Sequence, residues 1–241
     1  MTQEFRYNRV LVKISGEALK GNREHGYDAE AVHAVVNRVK QIMDQGVEVA
    51  LVVGAGNIWR GVMGRSGGMD RVNADYMGML ATVMNALCLR DFFNAAGVAA
   101  LVQCSVGMEP IAPRFNRDQA IKALEAGQLV IFAGGTGSPF FTTDTTAVLR
   151  ALETDCDAVL KATKVDGVYT ADPKTDPSAE RFSHLTFDEA LARQLKVMDS
   201  TAFSMCRDND LPIIVFNFSD PESFLRVLSG DTSAGTVVSR E

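Results

Sequence analysis

The stretch Ala133–Ala151, AGGTGSPFFTTDTTAVLRA, joins an apolar run to a helical pattern through a glycine-rich turn. Such a turn is typical of a phosphate site, because backbone N–H groups at the start of a helix face an anion. A loop of the G-x-x-x-x-G-K-[ST] kind carries its own lysine, but this stretch has no basic residue before Arg150. It offers threonines and then Asp144. The positive charge for a phosphate must therefore come from elsewhere in the chain.

Outward from this stretch, strand-like runs alternate with helical patterns. The continuous apolar run Val47–Val53 is typical of a strand buried on both faces. The other predicted strands are Arg9–Ser15, Val98–Cys104, Gln128–Gly135, Asp157–Thr163, Leu211–Phe218 and Gly235–Ser239. The predicted helices are Asp28–Gly46, Asn73–Gly97, Asn116–Gly127, Thr142–Glu153, Thr186–Arg193 and one opened by Asp220-Pro221 between the last two strands. This alternation predicts an α/β fold, a three-layer α/β/α sandwich with a mostly parallel central sheet. We expect one domain over residues 1–241.

Composition and charge narrow the class of protein. The 241 residues are 46% hydrophobic and 22% charged, with a formal net charge of -6. That acidity argues against a protein held electrostatically on nucleic acid or a membrane surface. No stretch reaches the roughly 20 apolar residues of a membrane span, and the first residues lack the apolar core of a signal peptide. We expect a cytoplasmic protein without nucleic-acid or membrane partners.

Cysteine and histidine spacing predicts neither a disulfide framework nor a metal site. The four cysteines lie far apart, as isolated thiols of a reducing compartment do: Cys88, Cys104, Cys156 and Cys206. The three histidines have no companions at ligand spacing. We therefore expect no metal ligands from the protein.

Glycine- or lysine-bearing segments follow four of the predicted strands. They are KISGEA, GAGNIWRG, GGTGSPFFTTD and KATKVDGVYTADP. In a parallel sheet, ligands gather outside the carboxyl ends of the strands, so these segments are expected to converge. Lys13 can supply the missing charge from a neighbouring strand, with Gly16 allowing close backbone approach. A lysine that merely extends into solvent at a strand end is an equal alternative from position alone.

The segment Gly54–Asn57 is a second candidate for anion binding. A dinucleotide fingerprint requires glycine at the position that Trp59 occupies, so the G-x-G-x-x-G spacing is wrong. A nest of backbone N–H groups, with Arg60 as a fork-shaped phosphate ligand, fits the residues better. A simple tight turn is the alternative.

These four segments, in this order and spacing, resemble the bacterial uridylate (UMP) kinases of the amino acid kinase superfamily. The resemblance covers essentially the whole chain, including MDRVNADYMGMLATVMNAL (Met69–Leu87), and TGSPFFTTD (Thr136–Asp144) is its most specific part. It implies transfer of the γ-phosphoryl group of ATP to UMP in pyrimidine nucleotide biosynthesis, with Mg²⁺ accompanying ATP. It also implies an allosteric homohexamer, although Asn94 and Leu101 stand where some members carry basic or histidine residues linked to GTP activation.

The same resemblance implies the site residues. The ATP-binding set is Lys13, Ile14, Ser15, Gly16, Gly56, Arg60, Thr163, Tyr169 and Asp172. The UMP-binding set is Ala55, Asp75, Thr136, Gly137, Ser138, Pro139, Phe140, Phe141, Thr142 and Thr143. The catalytic set is Lys13, Asp144 and Arg60. The acceptor is expected in the half of the chain up to about residue 150 and ATP in the half from about residue 151.

Each of these residues has a simpler interpretation if taken alone. Asp75 can stabilise the dipole of its helix, and Asp172 before proline commonly opens a turn. Tyr169 can be an aromatic residue at a strand edge. Lys161 and Lys164 can be solvated charges at a strand end. Only the ordered set of segments favours the functional interpretation.

The chemistry of the expected acceptor suggests a role for Asp144. A phosphate monoester has a second pKa of about 6 and is largely ionised at neutral pH, so it needs no general base. The difficulty is repulsion between two anions, which cations and backbone N–H groups relieve. We therefore expect Asp144 to hold Lys13 by a charge-assisted hydrogen bond, together with a second lysine, either Lys164 or Lys196.

Three other functions remain open from the sequence. The first is another enzyme of the superfamily, acting on a carboxylate, a carbamate or an isoprenoid phosphate. The second is a nucleotide sensor without turnover, and the third a dehydrogenase. The stretch TGSPFFTTD argues against the first, and the joint presence of Lys13, Arg60 and Asp144 argues against sensing alone.

Overall fold

A computed structural model describes residues 5–60 and 68–240, and it confirms the α/β/α sandwich. The strands are β1 Arg9–Ile14, β2 Glu48–Val53, β3 Ala100–Cys104, β4 Leu129–Ala133, β5 Ala158–Thr163, β6 His184–Thr186, β7 Ile213–Asn217 and β8 Gly235–Ser239. They form one sheet in the order β3-β4-β2-β1-β5-β7-β8-β6. Neighbouring strands are parallel except β7 and β8, which pair antiparallel. The sheet is therefore mostly parallel, as predicted.

Helices cover both faces of this sheet. Within the described residues they are α1 Ala29–Met43, α2 Arg71–Ala95, α3 Arg117–Glu125, α4 Thr143–Glu153, α5 Phe187–Ala192, α6 Ser200–Asp208 and α7 Ser223–Leu228, with short 3-10 turns at Gly16–Leu19 and Thr232–Ala234. Two separate apolar cores result. One core lies between the sheet and α1, α2 and α7, and the other lies between the sheet and α3 to α6.

Local sequence explains where these helices begin. The Asp28 side chain accepts the N–H of Ala31 at the start of α1, and Asn116 does the same for Gln119 in α3. Thr186 and Glu189 form the capping box expected for α5. Two elements were not predicted from the sequence, β6 and α6. The strand β6 has only three residues, too few to show an alternating pattern.

No helix in residues 5–60 and 68–240 is both long and apolar enough to cross a lipid bilayer. All four cysteines are free; Cys104, Cys156 and Cys206 are buried, and Cys88 is half-buried.

The strand order places a topological switch point between β1 and β5. From β1, the chain builds outward through β2, β4 and β3 on one side, and from β5 it builds through β7 on the other. Ligands of open α/β sheets bind in the crevice at such a point. Lys13 in β1 and Lys161 in β5 are direct register partners there. Side chains two residues apart in a strand point to the same face of the sheet. Leu11 and Val159, each two residues before its lysine, belong to the core under α3 to α6, so both lysines project toward that helical layer.

The loops after β1 and β2 meet backbone to backbone at this crevice. A Cβ on Gly16 would lie 2.3 Å from the Gly54 carbonyl oxygen and 2.8 Å from the Gly56 nitrogen. Neither backbone atom can move aside as a flexible side chain could. Glycine at position 16 is therefore required by packing, whatever its role toward a ligand.

We expect Gly16→Ala to lower the stability of the fold by about 1–3 kcal/mol, because a methyl group must displace backbone. Thermal unfolding at one fixed protein concentration measures the effect. Gly78→Ala is the matched control: its Cβ would meet only Trp59 Cδ1 at 3.6 Å, an ordinary contact. Alanine is favoured over glycine in a helix interior, so the control is expected to gain stability. Equal melting temperatures for the two variants would contradict the packing argument.

Candidate active site

Asp144 lies between the two lysines of the switch point. Lys161 Nζ donates to Asp144 Oδ2 at 2.8 Å, and Lys13 Nζ is 2.9 Å from Asp144 Oδ1 as an ion pair. The three side chains are only 12–19% exposed. The contact between Lys13 and Asp144 expected from the sequence is therefore present. One carboxylate compensates two ammonium groups, which leaves the cluster with a net positive charge.

The electrostatics of the cluster keep Asp144 ionised. Burial alone would raise the pKa of its carboxyl group, but the charges of Lys13 and Lys161, together with their hydrogen bonds, outweigh burial and hold the pKa below its ordinary value of 3.8. Asp144 is consequently an anion at neutral pH, and its lowered pKa makes it a weak proton acceptor.

The second lysine is Lys161, so the expectation of Lys164 or Lys196 was wrong. Lys161 is not a solvated charge either, because its register pairing with Lys13 points it at the same carboxylate. Lys164 lies beyond the end of β5, 75% exposed, and its nearest carboxylate is Glu17 at 3.9 Å. Lys196 lies on the exposed wall of a cavity described below.

Buried amides fix the loop after β2. Asn57 and Asn85 are fully buried and exchange reciprocal side-chain hydrogen bonds of 2.8 and 3.0 Å. Asn85 Nδ2 also donates to the Gly54 carbonyl at 2.7 Å. Asn85, which belongs to helix α2, thus fixes the position of the Gly54–Asn57 turn. Neither Asn85 nor its role was anticipated from the sequence.

Arg60, expected to bind phosphate, contacts Glu17 instead. Its Nη2 donates to Glu17 Oε1, and its side chain is 55% exposed. Ile14 is buried in the core, so only its backbone can contact a ligand, and Ser15 caps the following 3-10 turn by accepting the Glu17 N–H. The structure brings these residues to the mouth of the crevice.

One cavity at this edge, called the smaller cavity below, lies beside the start of α4 and encloses about 160 Å³. It is lined by residues of the β2 loop, helix α2 and the glycine-rich stretch: Ala55, Trp59, Ala74, Asp75, Gly78, Met79, Thr82, Gly135, Phe141, Thr142 and Thr143. Five members of the predicted UMP-binding set are in this lining. They are Ala55, Asp75, Phe141, Thr142 and Thr143.

The remaining members of that set lie on the same loop but outside the cavity wall. Asp75 holds this loop: its Oδ2 accepts the Phe140 N–H at 2.8 Å and also pairs with Arg71. Phe140 itself has φ +73° and is 65% exposed. Thr136 and Ser138 are engaged with each other, through Oγ1 of Thr136. Gly137 and Pro139 complete the turn. Asp75 is therefore more than a charge near a helix dipole.

The larger cavity, about 570 Å³, lies beyond Lys161 at the carboxyl ends of β5 and β7. Thr163, Tyr169 and Asp172, which the resemblance assigned to ATP, line it, and so does Lys161 itself. The Thr163 hydroxyl closes a tight turn with Val165, and the Asp172 side chain accepts the N–H of Lys174. These two polar groups shape the wall of the cavity.

Asp199 is a further site residue that the sequence did not reveal. It accepts the hydroxyl groups of Thr142 and Thr145, at either end of the first turn of α4, and it caps α6 through the Ala202 N–H. Lys161 Nζ also donates a hydrogen bond of 2.7 Å to the Val197 carbonyl. The start of α4 is thus joined to residues 193–197, which form one wall of the larger cavity. A capping aspartate before Ser200 was the only available signal.

No group of three or more Asp, Glu, His or Cys side chains in the described parts of the chain is arranged to hold a metal ion. The carboxylates nearest the crevice are already engaged: Asp144 with lysines, Asp199 with threonines and Glu17 with Arg60. The site offers cations and backbone N–H groups, which suit an anionic ligand.

The chain is similar to known proteins over nearly its whole length. A sequence model of the amino acid kinase family matches residues 8–217. The crystal structure of UMP kinase from Bacillus anthracis has 38% sequence identity and a TM-score of 0.95, covering 98% of this chain and 97% of that one. UMP kinase from Ureaplasma parvum has 38% identity and a TM-score of 0.91, over 97% and 99% of the two chains. Uridylate kinase from Archaeoglobus fulgidus has 26% identity and a TM-score of 0.74, over 95% and 99%.

The lowered pKa of Asp144 predicts how stability depends on pH. Because the folded state favours the ionised carboxylate, its contribution is fully present above the ordinary pKa of 3.8 and is lost as the pH falls through the lowered folded-state pKa. Asp144→Asn removes this contribution and leaves two lysines facing each other, at a cost of up to about 3 kcal/mol near pH 7. Urea unfolding is expected to show the gap between wild type and variant narrowing below pH 4. A gap that widens toward acid would contradict the assignment.

Proposed function

The chain belongs to the amino acid kinase family, and we propose that it is a UMP kinase, which transfers the γ-phosphoryl group of ATP to UMP to give UDP and ADP. Its similarity to two UMP kinases, each 38% identical over almost the full chain, supports this activity. The single observation that carries the proposal within the chain is the Lys13–Asp144–Lys161 cluster, which lies between two cavities at one edge of the sheet.

The cluster adjoins both of these cavities. Thr142 and Thr143 line the smaller one, Asp144 follows directly, and its partner Lys161 lines the larger one. We assign the smaller cavity to UMP and the larger to ATP. Residues before about 150 then hold the acceptor and residues after about 151 hold the nucleotide donor. On this assignment the transferred phosphoryl group passes close to the lysines.

Transfer in this site depends on charge neutralisation and alignment. The UMP phosphate is already largely dianionic at neutral pH, so no group has to remove a proton from it. What opposes the reaction is the repulsion between UMP and the polyphosphate of ATP. Fixed cations and backbone N–H groups that face the transferred group stabilise the charge in the transition state without reorganising.

The two lysines divide this work because their hydrogen bonding differs. Lys161 donates to Asp144 and to the Val197 carbonyl, which uses two of its three N–H groups. Lys13 contacts only Asp144 among the described residues. N–H groups of Lys13 that do not face Asp144 are therefore available to a phosphate. We assign Lys13 to the transferred group, with Arg60 joining it from the Glu17 ion pair, and Lys161 and Asp144 to holding Lys13 in place.

The rest of the proposal is supported by the family resemblance. Mg²⁺ arrives with ATP, coordinated mainly by phosphate oxygens and water, and helps to neutralise the polyphosphate. The enzyme acts in the cytoplasm, in pyrimidine nucleotide biosynthesis leading to UTP and CTP, as an allosteric homohexamer.

The acceptor is tested by measuring ADP release with UMP, CMP, dUMP and AMP at saturating Mg²⁺-ATP. We expect UMP to give the highest kcat/KM, by at least about tenfold over each of the others. Acetylglutamate, carbamate and isopentenyl phosphate serve as acceptors of related enzymes. Turnover on one of these in place of UMP would replace the proposed function, and nucleotide binding without ADP release would indicate a sensor.

The role of Asp144 is tested by Asp144→Asn. We expect kcat to fall about 100-fold or more while the affinity for UMP changes little, because the variant misplaces Lys13 and leaves the acceptor cavity intact. The plot of its reaction rate against pH should show no new ionisation near neutral pH. Lys13→Ala is expected to be more damaging still, since it removes the charge that faces the transferred group.

The matched control for this variant is Asp155→Asn, the same chemical change at an exposed partner of Arg117. Asp155 has φ +53°, a conformation that asparagine adopts readily, so the control should keep full activity. Loss of UMP affinity at unchanged kcat in Asp144→Asn would defeat the positioning role.

A further inference from the structure

We propose that Arg150 and Ser105 form a positioning pair that fixes the glycine turn Gly134–Gly137 and so determines which pyrimidine the acceptor cavity takes. The proposal rests on the proposed function, because it assigns the smaller cavity to UMP. Neither residue lines that cavity. Both act through the backbone of Gly135, which does.

Arg150 is a buried cation held in one place. Its side chain is 7% exposed, and its guanidinium lies 3.7 Å from the centre of the Phe115 ring. Its Nη1 pairs with Glu153, one turn further along α4, and its Nη2 donates to Ser105 Oγ at 2.9 Å. Stacking and the ion pair already stabilise the charge. The hydrogen bond to Ser105 therefore serves mainly to orient the serine hydroxyl.

Ser105 passes this constraint to the glycine turn. Its N–H donates to the Ala133 carbonyl at 3.0 Å, and its Oγ donates to the Gly135 carbonyl. The hydroxyl thus accepts a hydrogen bond from the Arg150 guanidinium and donates one to the Gly135 carbonyl. Its proton therefore points toward that carbonyl. A Cβ on Gly137 would lie 3.3 Å from Ser105 Cβ, which shows how closely the serine packs under the turn.

The turn needs an external support of this kind. Gly134, Gly135 and Gly137 have φ values of +76°, +58° and +82°. Glycine reaches these conformations easily and leaves them as easily. The turn has one internal backbone bond, from Gly137 N–H to the Gly134 carbonyl, and Thr82 Oγ1 accepts the Gly134 N–H. The Ser105 contact is the support next to the cavity wall at Gly135.

Acceptor choice is sensitive to such a support. Uracil and cytosine have nearly the same shape and differ in hydrogen bonding at two neighbouring ring positions. Uracil has a carbonyl and an N–H there, and cytosine has an amino group and a ring nitrogen without a hydrogen. A site discriminates between them when its polar groups are held at fixed positions, since a misplaced group can rotate to suit either base. A turn released at Gly135 should therefore bind UMP less tightly and reject CMP less well.

Ser105→Ala tests the pair, because it removes the hydroxyl and changes the packing little. We expect KM for UMP to rise about tenfold, the effect of losing one charge-assisted hydrogen bond. We expect kcat and KM for ATP to stay within about twofold and the preference for UMP over CMP to fall about tenfold. Arg150→Lys keeps the charge but loses the planar fork, and should shift KM and selectivity in the same direction.

Arg117→Lys is the matched control. Arg117 also contacts the end of α4, through the Glu153 carbonyl and Asp155, but it is half exposed and does not touch Ser105. It should leave KM and selectivity unchanged. If Ser105→Ala lowered kcat at constant KM, or kept wild-type selectivity in an enzyme that phosphorylates UMP, the role of the Arg150–Ser105 pair would be overturned. The proposed function would stand. A wild-type chain that neither binds UMP in calorimetry nor phosphorylates it would overturn the proposed function and the pair together.

Discussion

The arrangement of the site follows from two lysines placed side by side on parallel strands. Lys13 and Lys161 are register partners, about 4.8 Å apart in backbone spacing, and project to the same face of the sheet. Like charges so placed repel each other, and partial burial strengthens the repulsion. Asp144 makes the pair tolerable by contacting both ammonium groups. The start of helix α4 must therefore lie over the junction of β1 and β5, and its position fixes both cavities.

The surrounding contacts keep that helix start and the strand ends in one geometry. Asp199 binds the first turn of α4 through two threonine hydroxyls, and Asn85 holds the Gly54 carbonyl against the loop after β1. Gly16 allows those two loops to touch without a side chain between them. Each contact joins elements far apart in sequence. Phosphoryl transfer demands this rigidity, because reacting groups must be aligned within a fraction of an ångström before charge develops.

Sequence reasoning predicted what is local or periodic and missed what depends on register. The sandwich and most strand and helix positions were predictable from hydrophobic periods and glycine turns. The contact of Lys13 with Asp144 was predicted from the charge that the expected phosphate acceptor requires. Lys161 was not, because whether a lysine near a strand end meets a carboxylate depends on the strand beside it. The contact between Ser105 and Arg150 spans 45 residues. Nothing in either local pattern marks it, since a serine after a strand and an arginine in a helix are both ordinary.

The excess of one positive charge in the cluster also explains how an acidic protein can bring two anions together. A formal net charge of -6 gives no long-range attraction for nucleotides, and salt screens such fields beyond about 8 Å. Attraction must therefore come from short-range cations inside the crevice. If both lysines were uncompensated, the fold would be strained and the phosphates held tightly before and after transfer alike. Binding substrate and transition state equally would not raise kcat. Lys161 has the Val197 carbonyl as a second acceptor, whereas Lys13 contacts only Asp144 among the described residues, so N–H groups of Lys13 stay free to respond as charge develops on the transferred group.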